Sequence, residues 1–325
     1  MMPRWIRRQT ERGQSQPIRS AEVAELGGLH AEKVSTPTMG GVVLLASTLA
    51  GGLFGMDWSC LFCWMLPILM LIMGSLGLWD DLLKVKKKSY QGLHGRNKLF
   101  LELFVGAVFA FFVVKISGGS ALAPESLYIP WWGVWTVGGM LAALSLGGLA
   151  TVAFAGTVNA VNLTDGLDGL APGLLAMCFG TVVYGCLHLP MESAIVHPEV
   201  VVNIAVWCSA AAAACFTFLW FNASKAMVIM GDTGSLGFGA LLGASCIMLR
   251  AELVLLILGG LFVVEALSVM IQVAVFQKTG RRVFRCTPIH HHFEMAGVPE
   301  PRLVVRFWMV QVILCMVALW SLSRF

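Results

Sequence analysis

Nine stretches of this chain are apolar for close to the ~20 residues an α-helix needs to cross a bilayer, and no other feature restricts the fold as much. They lie at roughly 39–56, 59–79, 99–117, 134–154, 170–187, 200–221, 235–249, 253–275 and 304–322. The runs are continuously apolar, without the period-two alternation of barrel strands, so they read as helices. The expected fold is all-α: a polytopic membrane bundle of about nine helices. A polar, basic segment 1–38 precedes a single transmembrane domain, 39–325. Composition agrees: 58% of the residues are hydrophobic and 12% charged, against about half and a quarter in soluble domains. The first 38 residues hold no apolar core of a signal peptide. Most of the nine cysteines stand singly in apolar runs, as small helix residues do, and only Cys60-x-x-Cys63 has redox spacing.

The charges sort the loops. Lys84, Lys86, Lys87, Lys88, Arg96 and Lys98 fall in loop 80–98, and Lys278, Arg281, Arg282, Arg285 and Arg302 in loop 276–303. With nine spans these loops share one side with the basic N-terminal segment and the connections 155–169 and 222–234. The opposite loops carry Glu125, Glu192 and Glu199. Positive residues mark the cytoplasmic side, which puts the N-terminus inside and the C-terminus outside. The net charge of +4 thus reports topology before any phosphate partner, and nucleic acid is not expected. Lys115 and Arg250 are expected to reach the outer interface as snorkelling side chains.

Polar residues gather at the inner span ends. "GLWDDLLK" carries Asp80 and Asp81; "NAVNLTDGLDG" carries Asn159, Asn162, Asp165 and Asp168 at intervals of three; "FNASKAMVIMGDTGSLG" carries Asn222, Lys225, Asp232, Thr233 and Ser235; "KVSTPTMGG" leads into the first span. Carboxylates near a membrane are costly to desolvate, and hard oxygen clusters suit Mg²⁺ shared with a substrate phosphate. Phosphoryl transfer needs chiefly positioning and neutralisation of oxyanion charge. The interval of three would keep the four amides and acids near one helix face; the plainer reading is a capped helix start at Thr164 or Asp165. "GDTGSLG" lacks the ending of a P-loop, although its backbone N–H groups suit phosphate.

"CTPIHHHFE" places His290, His291 and His292 in a row. Three consecutive side chains diverge on any regular backbone, which argues against a tight zinc site. Separate tasks are expected, one or two imidazoles toward phosphate and one holding the loop; a solvated loop is the plainer reading. Glu265, deep in a span, should face the bundle interior and find a partner, whether for packing or for function.

Together, "TPTMGG", "DD" at a span end, "NAVNLTDGLDGLA", "FLWFN", "MGDTGSLGFG", "EALSVMIQV", "PIHHHFE" and "PEPRLVVRFW" resemble the phospho-N-acetylmuramoyl-pentapeptide transferase family of bacterial cell-wall synthesis, within the polyprenyl-phosphate N-acetylhexosamine-1-phosphate transferase superfamily. The likeness runs from about residue 33 to 310. It implies transfer of phospho-MurNAc-pentapeptide from UDP-MurNAc-pentapeptide to undecaprenyl phosphate, giving lipid I and UMP, with Mg²⁺, at the cytoplasmic face of a bacterial inner membrane. By the resemblance Asp232 is the Mg²⁺ ligand, and Asp80 and Asp81 sit at the reacting centre. Lys33, Thr38, Asn162, Asp165, Asp168 and Asn222 match the nucleotide-sugar pocket, with Asn159 in the same run. Lys98, Ser235 and His290 to His292 match other active-site positions. A homodimer is compatible with this reading.

Two departures stand out. The family usually has a further first helix, making ten spans, so nine are expected here. It commonly has Phe where this chain has Ile229, so the uracil contact is expected to be weaker or made differently. Transfer of GlcNAc-1-phosphate to the same lipid is the nearest alternative, and the triple histidine speaks against it. A transporter would place ionisable groups at mid-membrane, whereas here only Glu265 lies deep.

Overall fold

A computed structural model describes residues 1–13, 36–87, 92–117, 126–136, 139–188 and 196–323. The apolar runs are helical over most of their described length, although the run 134–154 begins in a strand. Helix α1 (Met2–Glu11) precedes α2 (Gly41–Gly55); α3 (Met65–Lys87) follows a short 3₁₀ turn; α4 is Gly95–Ser117. A hairpin of β1 (Ser126–Ile129) and β2 (Gly133–Thr136) leads to α5 (Met140–Thr164), α6 (Leu170–His188), α7 (Pro198–Asn222) and α8 (Gly231–Met248). The chain closes with α9 (Glu252–Leu258), α10 (Gly260–Thr279), α11 (Ile289–Met295) and α12 (Glu300–Leu322). Among the described residues, seven helices are long and apolar enough to cross a membrane. The chain is a polytopic helical bundle, as the run lengths predict.

Helix α8 is the hub. All of its residues are buried, and it packs against α2, α3 and α5. At ~1.5 Å per residue its 18 residues span about 27 Å, close to the hydrocarbon thickness. In lipid no hydrophobic force drives helices together, so contact favours small residues that let backbones meet. Gly77 of α3 shows the need, since a Cβ there would run into the Asp232 carbonyl. The outward faces carry Phe104, Phe111, Val152, Phe216, Met309 and Met316, all exposed, a surface suited to lipid tails rather than water.

Several expectations shift. Helix α5 begins after the hairpin and continues to Thr164, so the predicted loop 155–169 shrinks to five residues, 165–169. Nothing in "AGTVNAVNLT" breaks a helix, and hydrogen bonding along the backbone does not stop at the membrane edge. The predicted span 253–275 divides at Gly259 into α9 and α10. The N-terminal segment begins with a helix, and loop 276–303 contains α11. The hairpin is the one departure from all-α among the described residues.

Arg250 does not snorkel. It is fully buried, with its guanidinium 3.6 Å from the Glu252 carboxylate, because the hairpin closes over it: Tyr128 N–H donates to the Arg250 carbonyl at 3.2 Å. The Lys115 side chain lies outside the described set. Cys60 and Cys63 are joined in a disulfide at the 3₁₀ turn before α3.

Candidate active site

The four N-terminal N–H groups of a helix lack partners within it and carry its positive dipole end. In α8 an acid from α3 meets this need. Asp81, near the C-terminal end of α3, accepts from Asp232 N at 3.0 Å, Thr233 N at 2.9 Å and Thr233 Oγ1 at 2.7 Å. Asp165, just past α5, lies where the Gly231 backbone N–H favours its charged form. The "GDTG" backbone that could cradle phosphate is thus engaged by the Asp81 carboxylate. This capping fixes the first turn of α8 and the direction in which Asp232 projects.

Asp232 meets two ammonium groups. Lys84, a turn beyond Asp80 on α3, lies 3.0 Å from Asp232 Oδ1 and 2.7 Å from Asp80 Oδ2. Lys98, in the first turn of α4, lies 2.7 Å from Asp232 Oδ2. Lys98 also donates to Asn162 Oδ1 at 3.1 Å, and Asn162 Nδ2 donates to Ser235 Oγ at 2.8 Å. Leu93 N–H donates to Asp80. Two acids and two lysines from three helices therefore share one buried cluster, and the carboxylates of residues 80, 81, 165 and 232 meet at one end of the bundle.

The Asn–Asp run does not stay helical. Helix α5 ends at Thr164, and only Asn159 and Asn162 project from it. Asn159 donates to Glu102 of α4. Asp168, in the turn beyond, accepts from Ala226 N at 3.0 Å, while its own N–H donates to Glu300 at 2.6 Å. Asn222 accepts from Gly169 N and donates to the Val228 carbonyl, each at 2.9 Å. Asp168 and Asn222 thereby tie the 165–169 turn to the segment after α7. Thr38 is buried beside a further tie, in which Ile229 N donates to Pro37 O at 2.8 Å and Gly40 N to Ile229 O at 2.9 Å. Lys33 lies outside the described residues.

The three histidines diverge, as expected of consecutive side chains. His290 is fully buried, its Nδ1 3.0 Å from Glu265 Oε2. Its Nε2 packs so close to Gly166 that a Cβ there would collide with it, which joins the loop to the aspartate turn. His291 Nδ1 lies 2.6 Å from Glu294, and His292 Nδ1 accepts from Arg285 N at 3.1 Å. Glu265 finds the partner that a buried acid requires. Sequence reasoning missed Lys84, treated only as a topology marker, and also Glu102 and Glu300. Lys84 stands four residues after Asp80 in a helical pattern, a spacing that could have paired them.

Burial, then the nearby Asp232 and Asp81 carboxylates, pushes the Asp165 carboxyl up to about 8. A carboxyl raised this way keeps its proton in the folded protein while the unfolded chain loses it near pH 4. Its contribution to stability is therefore fully present below pH 4 and is lost as pH rises to about 8. Metal-free protein should lose thermal stability across that window, and Asp165→Asn should flatten this part of a pH–melting curve. An unchanged slope in the variant would refute the assignment.

Helices long enough to span a membrane and a buried acid–lysine cluster at one bundle end define a multi-pass membrane enzyme. Residues 63–250 match the family model of glycosyl transferase family 4. The match covers more than half of the chain, and the chain belongs to that family. It is a transferase that moves a phosphosugar onto polyprenyl phosphate, in the polyprenyl-phosphate hexosamine-1-phosphate transferase superfamily. The matched region holds Asp80, Asp81, Lys98, Asn162, Asp165, Asp232 and Ser235, whereas Thr38 and the histidines lie outside it.

Proposed function

We propose that the chain transfers phospho-MurNAc-pentapeptide from UDP-MurNAc-pentapeptide to undecaprenyl phosphate, releasing UMP, as the first membrane step of peptidoglycan synthesis. The site would face the cytoplasm across a bacterial inner membrane. The observation that carries this reading is the convergence of Asp80, Asp232, Lys84 and Lys98 beside a turn on which the triple-histidine loop is docked. "PIHHHFE" and "NAVNLTDGLDGLA" resemble the muramoyl branch, and here they touch.

In the reaction an oxygen of undecaprenyl phosphate bonds to the sugar-bearing phosphorus. The bond from that phosphorus to the bridging oxygen breaks, and UMP leaves with the oxygen and its electron pair. A phosphate monoester with a second pKa near 6 is already largely dianionic at pH 7, so direct attack needs little help from a base. Lys84 and Lys98 would donate to the diphosphate oxygens, lowering the charge that opposes attack. Asp81 acts as a positioning residue, through the first turn of α8. Asn162 and Ser235 hold Lys98 toward Asp232.

The donor set fits Mg²⁺. Asp80 and Asp232 already turn oxygens toward one cation, the Lys84 ammonium, and Mg²⁺ is usually held by one or two carboxylates plus substrate phosphates. No group of three His, Cys, Asp or Glu side chains is placed to hold a metal among the described residues, so the protein alone offers no closed cage. Asp232, with Asp80, would hold the ion, which supplies charge neutralisation at the diphosphate.

The test is purified protein with undecaprenyl phosphate, Mg²⁺ and either UDP-MurNAc-pentapeptide or UDP-GlcNAc, scored for UMP and lipid-linked product. Turnover of the first donor is expected. Turnover of UDP-GlcNAc alone would replace this reading with the GlcNAc-1-phosphate transferase.

A further inference from the structure

Helix α1 buries Met2 and Gln9 and rests Trp5 and Ile6 on the bundle, and its arginines stay exposed. Arg7 pairs with Glu11 at 2.9 Å. Arg4 and Arg8, one turn apart on the same face, have no acidic partner among the described residues. Both line a cavity of about 340 Å³ with Trp5, Val42 and Ala46. The buried indole N–H of Trp5 has no acceptor among the described residues.

This cavity adjoins a second of about 460 Å³ between α2 and α7, the two sharing Met1 and Val43. Its walls include Gly51, Ala210, Ala213, Ala214 and Phe218. The small residues hollow out the groove. Its two hydroxyls are turned inward to backbone, Ser47 to the Val43 carbonyl and Thr217 to the Ala213 carbonyl, each at 2.8 Å. What remains is apolar. From Val43 to Gly51 the groove descends about 12 Å along α2 at ~1.5 Å per residue, roughly one leaflet of a ~30 Å core. The arginines stand at the site end of the bundle, since the start of α2 is bonded to residues 229 and 230 (Gly40 N to Ile229 O, Gly41 N to Met230 O, each 2.9 Å).

We propose that these joined cavities bind an anionic diacyl phospholipid, with its phosphate between Arg4 and Arg8 and an acyl chain in the α2–α7 groove. Depth, polarity and charge agree on this occupant. A leaflet-deep apolar slot topped by two arginines matches a headgroup phosphate above a hydrocarbon tail. Basic side chains near an anionic lipid surface contribute attraction residue by residue. None of the residues lining the cavities belongs to the acid–lysine cluster, so the phospholipid is distinct from the lipid acceptor of the reaction.

The test uses the full chain in detergent, titrated separately with phosphatidylglycerol, phosphatidylcholine and undecaprenyl phosphate, with bound lipid counted by native mass spectrometry. One phosphatidylglycerol should be retained at about tenfold lower concentration than phosphatidylcholine, as expected when two arginines face an anionic headgroup. Arg4→Gln with Arg8→Gln should erase that preference. Ala213→Phe, which fills the groove, should lower retention of both phospholipids. A matching melting temperature certifies that each variant is folded. Equal retention of the two phospholipids by the unaltered chain would overturn the proposal. So would undecaprenyl phosphate outcompeting phosphatidylglycerol at this site, or dimerisation that Ala213→Phe abolishes. Retention is read without nucleotide sugar, so its failure leaves the transferase reading untouched.

Discussion

Asp232→Ala is expected to abolish UMP release, with a fall of at least ~10³-fold in kcat, because the carboxylate that would hold Mg²⁺ and orient both lysines is gone. Lys84 would keep Asp80 as a partner, and Lys98 would keep Asn162. The α8 cap survives, because Asp81 bonds to the backbone at residues 232 and 233 and to the Thr233 hydroxyl, not to the Asp232 side chain. The melting temperature should therefore stay near that of the unaltered protein. Turnover within tenfold of normal, measured with saturating Mg²⁺, would remove Asp232 from the metal and from the reaction together.

Asp81→Ala should behave differently although the side chain lies beside the same cluster. It removes the acceptor of three hydrogen bonds at the buried start of α8. Leaving such donors unsatisfied costs about 1–3 kcal/mol each, partly relieved if water enters, so a loss of about 2–4 kcal/mol is expected. Activity should fall with it, by ~10²-fold or more, as Asp232 loses its fixed direction. Asp81→Asn keeps one acceptor oxygen and should recover part of both losses. The paired outcome discriminates between the roles: Asp232→Ala silences a stable protein, whereas Asp81→Ala weakens the fold and the chemistry together. If Asp81→Ala melts normally yet is inactive, Asp81 works on substrate directly and the positioning role is wrong.

The site was partly legible beforehand because its groups stand out against lipid. Asp80, Asp81, Asp165 and Asp232 are conspicuous at the ends of apolar runs, where a carboxylate is costly without a purpose. Lys84 was not conspicuous, since a lysine at an inner span end already has a topological explanation. The intervals of three in the Asn–Asp run misled for a related reason. A spacing suits a helix only while the helix lasts, and α5 ends at Thr164, so the Asp165 and Asp168 side chains turn toward the start of α8 and the segment after α7 instead of lining one face. The same holds for Arg250: its place beside a loop suggested solvent, but a hairpin more than a hundred residues earlier covers it.

By itself the sequence determined that this chain enters a membrane, that it does so as helices, and that its polar groups gather at one side. Those follow from run length and charge placement, which act locally along the chain and against a uniform solvent. Only the tertiary structure decided which acid faces a lysine and which caps a helix, where each imidazole is held, and that a basic helix roofs an apolar groove. Such roles depend on residues brought together from distant parts of the chain around α8, and contact at that range leaves no periodic mark in a single sequence.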